Sequence, residues 1–150
     1  MTTRTDGSRD LSEEDRALVA AALEARERAY APYSQFAVGA AVRTASGRTF
    51  SGCNVENASF GLTVCAERVA IWKAVSVGER ALSALAVVSE GGATPCGTCR
   101  QVMSEFVEDM IVLVADTEDH VWATSLRDLL PDPFPRVSVE DKRRSCRGHV

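Results

Sequence analysis

Three cysteines and a glutamate stand at spacings that suit a catalytic metal centre. Cys65 lies two residues before Glu67, and Cys96 and Cys99 follow later in the chain as a Cys-x-x-Cys pair. Three thiolates fill three tetrahedral positions around Zn²⁺ and leave the fourth for water, whereas structural zinc sites usually close all four. The pattern therefore predicts a zinc site that can carry out hydrolysis, with Glu67 as the carboxylate that transfers protons.

A Cys-x-x-Cys pair has other uses, and these alternatives remain open at this point. Such a pair also occurs in structural zinc knuckles and in redox sites. Glu67 favours the catalytic interpretation, because a carboxylate beside a thiolate costs electrostatic energy unless a metal ion or a proton compensates it. Cys or His two residues before Glu, followed by Pro-Cys-x-x-Cys, is also the signature of zinc deaminases that act on nucleobases and nucleosides.

Longer segments around these residues carry more information than the cysteines alone. They are Tyr-Ser-Gln-Phe-Ala-Val-Gly-Ala-Ala at 33–41, Asn-Val-Glu-Asn-Ala-Ser-Phe at 54–60, Cys-Ala-Glu-Arg at 65–68 and Pro-Cys-Gly-Thr-Cys-Arg-Gln-Val at 95–102. In this order they resemble the small homotetrameric cytidine deaminases of nucleoside salvage, from about Leu11 to Phe134. The resemblance implies hydrolytic, zinc-dependent deamination of cytidine and deoxycytidine to uridine and deoxyuridine in pyrimidine salvage.

The same resemblance implies a role for each residue near the metal. Zn²⁺ would be held by the three cysteines, while Glu67 would take a proton from water and return protons to the ring nitrogen and the leaving amine. Arg68 matches an arginine of the family that donates hydrogen bonds to ligand sulfurs. Arg68, with Arg100 as a second candidate, could offset the negative charge of three thiolates by donating hydrogen bonds to ligand sulfurs.

Five other positions are expected to contact the substrate. Asn54 and Glu56 are two apart on a predicted strand, so their side chains share one face, and in the family the matching Asn-x-Glu binds the ribose. Phe36 matches an aromatic residue that packs on the pyrimidine, and the backbone of Ala66 would read the base carbonyl. Phe134 resembles an aromatic residue that reaches a neighbouring subunit's pocket. The simpler alternatives are a polar strand end for Asn54 and Glu56, and core packing for the two phenylalanines.

Three other functions fit parts of the pattern. A deaminase of another cytosine nucleoside, such as a blasticidin S-type antibiotic, shares the cysteine motifs, but its sugar-strand motif lacks Asn-x-Glu. A non-catalytic, zinc-stabilised module would not need Glu67. Deaminases of nucleic acids usually have His in place of Cys65 and a basic surface, whereas this chain has 17 Lys and Arg against 21 Asp and Glu. We therefore expect a small cytosine nucleoside as the partner, and no nucleic acid.

Hydrophobic periodicity and turn residues predict alternating helices and strands without a linker or an internal repeat. The predicted elements are a helix from Ser12 to Ala29, a hairpin of Phe36–Val42 and Thr49–Asn54, a helix Cys65–Val77, a strand Leu82–Val88, a helix Cys99–Val107, a strand Ile111–Ala115, an edge strand His120–Ala123 and a short helix from Ser125 to Pro131. Such alternation implies an α/β fold, namely a three-layer α/β/α sandwich with a central mixed β-sheet, as in the cytidine deaminases.

Composition distinguishes the two ends of the chain. Residues 1–10 are polar, lack the apolar segment of a signal peptide and are expected to be disordered. Residues 11–135 are predicted to form the catalytic domain, and 136–150 match nothing in the family and are expected to be a flexible tail. No stretch is as long and apolar as a membrane span, and 5 cysteines, an odd number, favour a reducing compartment. We therefore expect a cytoplasmic enzyme without a membrane partner. The family resemblance implies a homotetramer with shared active sites.

Overall fold

The computed structural model describes residues 11–136, in which helices and strands alternate as predicted. The elements are α1 Glu13–Arg26, β1 Val38–Thr44, β2 Thr49–Cys53, α2 Ala66–Ser76, β3 Leu82–Ser89, α3 Gly97–Phe106, β4 Ile111–Ala115, β5 Val121–Ser125 and α4 Leu126–Leu129, with a 3₁₀ turn at Phe60–Leu62 between β2 and α2. The predictions of a disordered segment 1–10 and, apart from Arg136, of a flexible tail 136–150 lie outside the described residues.

The strands form one mixed sheet in the order β2-β1-β3-β4-β5. β1 pairs with β2 and with β3 in antiparallel register, β3 pairs with β4 in parallel register, and β4 pairs with the edge strand β5 in antiparallel register. Two parallel neighbours need a crossover connection, which here contains α3. The loop that leaves the carboxyl end of β3 therefore leads directly into α3.

Helices cover both faces of this sheet, so the predicted three-layer arrangement is confirmed. On one face α1 buries Leu18 and Ala22 against small and branched strand residues, which include Ala41, Ala86 and Leu113. On the other face α2 and α3 enclose a second core, whose fully buried members include Ala70, Ile71, Leu85, Met103 and Val112. Alternate residues of the central strands thus face opposite layers, as the period of a strand requires. In the chain from 11 to 136 no helix is both long enough and apolar enough to cross a membrane.

Several elements differ from their predicted bounds by a few residues, and the early ends of α1 and β2 affect the site. α1 stops at Arg26 rather than Ala29, because the chain turns there and the N–H of Tyr30 donates to the carbonyl oxygen of Asn54 at 3.0 Å. β2 stops at Cys53, so Asn54 and Glu56 follow the strand instead of lying on it. Val55 holds this extension in place through isolated bridges to Tyr30 and Val64. Both differences come from contacts between segments that are distant in sequence.

Candidate metal centre and active-site cleft

The three cysteines of the predicted metal site lie together at the amino-terminal ends of two helices. Cys65 is the N-cap residue of α2, Cys96 is the N-cap residue of α3, and Cys99 lies in the first turn of α3. The sulfur of Cys96 lies 3.9 Å from that of Cys65 and 3.5 Å from that of Cys99. Helix amino termini carry a partial positive charge, which favours thiolates at these positions.

The sulfur spacing fits a tetrahedral zinc ion. Zinc–sulfur bonds of about 2.3 Å place the sulfurs of a tetrahedral site about 3.8 Å apart. The three sulfur atoms all lie within 4.8 Å of one another, and within residues 11–136 no carboxylate or imidazole belongs to this group. Three thiolates without a fourth protein ligand are the donor set of a zinc site that is open to water.

The thiols of this cluster do not share the same acidity. A hydrogen bond from Cys99 lowers the pKa of the Cys65 thiol despite partial burial, and Arg68 lowers it further. The same contact with Cys65, together with burial, raises the pKa of Cys99. Several thiolates this close together repel one another, and a coordinated divalent cation removes that cost. The cluster is therefore suited to a metal ion rather than to three independent thiols.

Glu67 lies beside the cysteine cluster in the first turn of α2, but it is not part of the cluster. Its side chain lines the cleft described below, although only 4% of the residue is exposed. Burial raises the pKa of Glu67 to about 7, and the negative charge of Cys65 adds to this effect. A carboxyl group that titrates near neutral pH can act as a base and then as an acid, as the sequence predicted for this residue.

Arg68 contacts the metal cluster directly, as predicted. Its Nη2 atom lies 3.6 Å from the sulfur of Cys65 and donates to the carbonyl oxygen of Thr63 at 3.3 Å. Although partial burial acts in the opposite direction, the hydrogen bond to Cys65 and the charge of that sulfur raise the pKa of Arg68. The guanidinium group also lies over the ring of Trp72, at 5.8 Å from its centroid. Arg68 can thus reduce the negative charge on one ligand sulfur.

The prediction that Arg100 also donates to a ligand sulfur is wrong. Its Nε atom donates to the carbonyl oxygen of Pro95 at 2.6 Å and its Nη1 atom to that of Leu129 at 2.8 Å. Nη2 donates to the hydroxyl of Thr94 at 3.1 Å. Arg100 lies one residue beyond Cys99 on α3 and is directed towards the preceding loop and the end of α4, which the sequence could not reveal.

A cleft of about 340 Å³ opens beside the metal cluster and contains most of the predicted site residues. Its walls include the ligand cysteines 65 and 96, together with Phe36, Asn54, Glu56, Ala66 and Glu67. No lysine, arginine or histidine of the described chain lines this cleft. Phe36 is 39% exposed, so the alternative that it is a core residue is not supported. Ala66 is the first residue of α2, where backbone N–H groups have no partner within the helix.

Asn54 and Glu56 are both buried, and both hold the segment that carries Phe36. The side-chain oxygen of Asn54 accepts from the N–H of Val38 at 2.9 Å, and its amide nitrogen donates to the carbonyl oxygen of Phe36 at 2.8 Å. One carboxylate oxygen of Glu56 accepts from the N–H groups of Tyr33 and Ser34 at 2.8 and 3.2 Å. The other oxygen accepts from the hydroxyl of Ser34.

These contacts leave part of each polar group available. A carboxylate offers about four acceptor positions and a side-chain amide offers two donors and two acceptors. Glu56 uses three of its positions, and Asn54 uses one donor and one acceptor. The pair can therefore bind a polar ligand and keep its structural contacts. The sequence motif identified Asn54 and Glu56, but it gave no sign of Ser34, which is 22 residues away from Glu56.

The loop between β3 and Cys96 forms another wall of the cleft, through Ala93 and Thr94. Gly91 and Gly92 both have positive φ, of 67° and 63°. A Cβ atom on Gly92 would lie 2.0 Å from Cη2 of Trp122 on β5, whereas one on Gly91 would meet nothing within 4 Å. The indole ring therefore fixes the path of the loop, and only glycine fits at Gly92. Nothing in the sequence signals this contact, because Gly92 and Trp122 lie on segments that are distant along the chain.

Phe134 does not line the cleft of its own chain. The residue is 76% exposed, and Gln101 on α3 holds its backbone on both sides. The Gln101 side-chain oxygen accepts from the N–H of Phe134 at 3.0 Å, and its nitrogen donates to the carbonyl oxygen of Phe134 at 3.1 Å. The backbone is thus fixed and the ring is left at the surface, so the alternative that it packs into its own domain is not supported.

The chain is similar in sequence to a known protein family. A family model described as the zinc-binding region of cytidine and deoxycytidylate deaminases matches residues 12–115. The chain is 46% identical over 125 residues to the cytidine deaminase of Sporosarcina psychrophila, with 81% of this chain and 92% of that protein covered. It is 43% identical over 127 residues to the cytidine deaminase of Halalkalibacterium halodurans, with 83% and 96% covered.

Solved structures are similar as well. The crystal structure of a cytidine deaminase from Burkholderia pseudomallei superposes with a TM-score of 0.77 at 50% sequence identity, and covers 83% of this chain and all of the other. The crystal structure of the cytidine deaminase from Mycobacterium tuberculosis gives a TM-score of 0.70 at 42% identity, with 83% and 100% covered. The residues that the family model matches, 12–115, include the three cysteines and Glu67.

Proposed function

The chain belongs to the family of cytidine and deoxycytidylate deaminases, and on this basis we propose that it hydrolyses cytidine and deoxycytidine to uridine, deoxyuridine and ammonia. The main support for this proposal is that one cleft contains the residues proposed for catalysis together with the residues proposed for substrate binding. Glu67 and the ligands Cys65 and Cys96 line it together with the polar pair Asn54 and Glu56. Its volume of about 340 Å³ is in the range of small-molecule sites.

The three cysteines are the residues that would hold the metal. When bound by Cys65, Cys96 and Cys99, Zn²⁺ supplies a Lewis acid that lowers the pKa of a water molecule. Arg68 reduces the charge of the Cys65 sulfur from the side of α2, since its guanidinium lies 3.6 Å from that atom. Both helix amino termini add positive potential to the same cluster.

Glu67 transfers the protons of the reaction. Its carboxylate accepts a proton from the attacking water as the new bond from oxygen to C4 of the cytosine forms, and it donates a proton to ring atom N3. It then takes the remaining proton from the new hydroxyl group at C4 and passes it to the amino group, so that the bond from C4 to nitrogen breaks, the C4 carbonyl forms and ammonia leaves. Burial raises the pKa of Glu67 to about 7, so the group can serve in both directions near neutral pH.

The remaining residues of the cleft would orient the nucleoside. Phe36 presents an exposed ring on which the pyrimidine can pack. The N–H of Ala66 at the start of α2 can donate to the base carbonyl. Asn54 and Glu56 can bind sugar hydroxyls with the donor and acceptor positions that their structural contacts leave free. Contacts with the sugar would hold the pyrimidine ring beside Glu67, so that binding energy from the ribose can contribute to catalysis.

The charges of the cleft favour a nucleoside over a nucleotide. Its lining contains the carboxylates of Glu56 and Glu67, and within residues 11–136 it contains no basic side chain. The hydroxyl of Ser34 holds the pKa of Glu56 below its ordinary value against the effect of burial, so this carboxylate is charged at neutral pH. A phosphate group beside it would be repelled.

We also propose a homotetramer in which Phe134 of each subunit covers the base in a neighbouring cleft. The support is that Phe134 is exposed while its backbone is held by Gln101. Exposed apolar residues also lie near the cleft, among them Tyr33 and Phe60, whose rings meet edge to face at 5.6 Å. The free thiols of the described cysteines support the proposal of a reducing, cytoplasmic location. The single sheet with a core on each face supports the proposal of one catalytic domain at 11–135.

A substrate panel tests the proposed function. The zinc-loaded protein is assayed by ultraviolet absorbance with cytidine, deoxycytidine, cytosine, deoxycytidylate and blasticidin S at equal concentrations, and the products are identified by mass. We expect turnover of the two nucleosides, with much lower kcat/KM for cytosine and for deoxycytidylate. Efficient turnover of cytosine would contradict the role of Asn54 and Glu56, and a preference for deoxycytidylate or blasticidin S would contradict the proposed substrate.

A further inference from the structure

Arg100 joins three parts of the active-site framework, although it neither contacts a ligand sulfur nor lines the cleft itself. Its guanidinium donates to Thr94 and Pro95, which precede Cys96 in the chain, and to the carbonyl oxygen of Leu129, the last residue of α4. The residue itself follows Cys99 on α3. A single side chain thus connects both ligands of the Cys-x-x-Cys pair with the end of α4.

The contact with Pro95 bears directly on a metal ligand. The carbonyl group of Pro95 belongs to the peptide bond that leads into Cys96, and Nε of Arg100 holds its oxygen at 2.6 Å. The Pro95 carbonyl group and the backbone N–H of Cys96 belong to one planar peptide unit. Holding the carbonyl oxygen therefore also fixes the orientation of the backbone at Cys96. Cys96 is also exposed, so packing around its side chain contributes little to its placement. The orientation of this ligand depends on the backbone before it.

The contact with Thr94 bears on the cleft. Thr94 lines the cleft and accepts from Nη2 of Arg100 at 3.1 Å. The acceptors of Arg100 are two backbone carbonyls and a hydroxyl, and among residues 11–136 no carboxylate lies within ion-pair distance of it. Three acceptors in different directions suit the planar fork of an arginine, which a lysine ammonium on a flexible stem does not reproduce.

We propose that Arg100 is a positioning residue that sets the geometry of Cys96 and of the Thr94 wall by fixing the Pro95–Cys96 peptide to the end of α4. The inference rests on the proposed metal site, but not on which nucleoside the protein converts. It assigns different tasks to the two arginines. Arg68 acts on the charge of a ligand sulfur, and Arg100 acts on the direction from which a ligand approaches the metal.

The test measures the metal site itself in four variants. Arg100→Lys keeps the charge and removes the fork, Arg100→Ala removes both, and Thr94→Val removes one acceptor while leaving Pro95 in place. Arg48→Ala is the matched control, because Arg48 is an exposed arginine whose partners are Glu79 and the ring of Phe50. For each protein, zinc affinity is measured by competition with a chelator, the visible absorption of the Co²⁺ form is recorded, and Tm is determined.

The proposal predicts a loss of zinc affinity of about 10- to 100-fold in both Arg100 variants, the usual effect of removing a group that orients a ligand. It also predicts altered Co²⁺ absorption bands in both, a smaller change in Thr94→Val and none in Arg48→Ala. If Arg100→Ala does not fold, Arg100→Lys alone decides the question through the same two readouts.

Three results would overturn the proposal. If Arg100→Lys had the zinc affinity and the Co²⁺ spectrum of the wild type, the charge of the side chain would be responsible, and not the geometry of its hydrogen bonds. A lowered Tm with unchanged affinity and spectrum would mean that Arg100 only stabilises the fold. A Thr94→Val variant as impaired as Arg100→Ala would remove the role of the Pro95 contact. None of these readouts uses a nucleoside, so a failure of the proposed substrate would be recognised separately.

Discussion

Ser34 and Glu56 are joined at two points, since both the N–H and the hydroxyl of Ser34 donate to the Glu56 carboxylate. The hydroxyl contact holds the pKa of Glu56 below its ordinary value of 4.5, although burial works against it. The N–H of Tyr33 adds to the effect. This pair anchors the turn that leads to Phe36, so the charge of Glu56 and the placement of the aromatic wall depend on each other.

Ser34→Ala should raise the pKa of Glu56 towards 4.5 and raise KM for cytidine. Because the folded pKa lies below the unfolded one, Glu56 stabilises the fold above pH 4.5, and this contribution is lost as the pH falls through the folded pKa. In the variant this contribution should be smaller, because the folded pKa lies closer to the unfolded one, and its loss should be complete at a higher pH. A carboxyl carbon titration by NMR measures the change, with Ser46→Ala as control, because Ser46 donates to Glu79 instead. An unchanged titration of Glu56 in Ser34→Ala would contradict the coupling.

The metal site predicts about one zinc per chain in the purified protein. Cys65→Ala, Cys96→Ala and Cys99→Ala should each lose zinc and activity together, because two thiolates cannot hold a catalytic zinc firmly. Cys53→Ala is the matched control, since its sulfur donates to the carbonyl oxygen of Arg28 and lies outside the cluster. Zinc content and turnover are measured on the same samples. A metal-free cysteine variant with full activity would show that zinc does not take part in the reaction.

Alanine substitutions of the neighbouring residues Gly91 and Gly92 should differ in how much they reduce stability. Gly91→Ala should cost about 1–2 kcal/mol of unfolding free energy, because alanine is strained at positive φ. Gly92→Ala should cost roughly 1–3 kcal/mol more, because its Cβ would overlap the ring of Trp122. Its KM for cytidine should also rise, since Ala93 and Thr94 follow in the wall of the cleft. Denaturant unfolding compares the two variants, and equal stabilities would contradict the contact with Trp122.

The sequence predicted those parts of the fold that local patterns determine. β4 lies at Ile111–Ala115 as expected, because a short apolar run between polar turns leaves one interpretation. α2 begins at its expected cap and ends before Gly78, whose φ of 93° suits a helix terminus. The ends of α1 and β2 were missed, because Tyr30 pairs with the segment around Val55 and neither partner signals the other in the sequence.

In the candidate site, too, local motifs predicted some features, and contacts between distant segments determine the others. Cys65, Glu67 and Arg68 stand in one motif, and α2 places them together without help from the rest of the chain. The partners of Arg100 and Glu56 could not be read in this way. They are set by the packing of α3 against α4 and by the turn at Ser34, which join segments that are 29 and 22 residues apart.

Removing the exposed ring of Phe134 tests whether neighbouring subunits share active sites. Light scattering of the wild type should show a tetramer. Phe134→Ala should keep its zinc and raise KM for cytidine, because the ring would no longer cover the base. Leu23→Ala is a suitable control, since Leu23 is an exposed apolar residue of α1 and does not line the cleft. A monomeric protein with undiminished activity would rule out a cross-subunit role for Phe134.

The most direct test of zinc-dependent deamination by this cleft is the Glu67→Gln variant, because Glu67 lines the cleft and does not belong to the ligand group. Zinc content, cytidine binding and turnover are measured on the same preparations of the variant and of the wild type. The account predicts equal zinc, retained cytidine binding and a kcat reduced by about 10²- to 10⁴-fold. Near-normal turnover would contradict it, because the protons would then follow another path, and loss of zinc would show that Glu67 supports the metal instead.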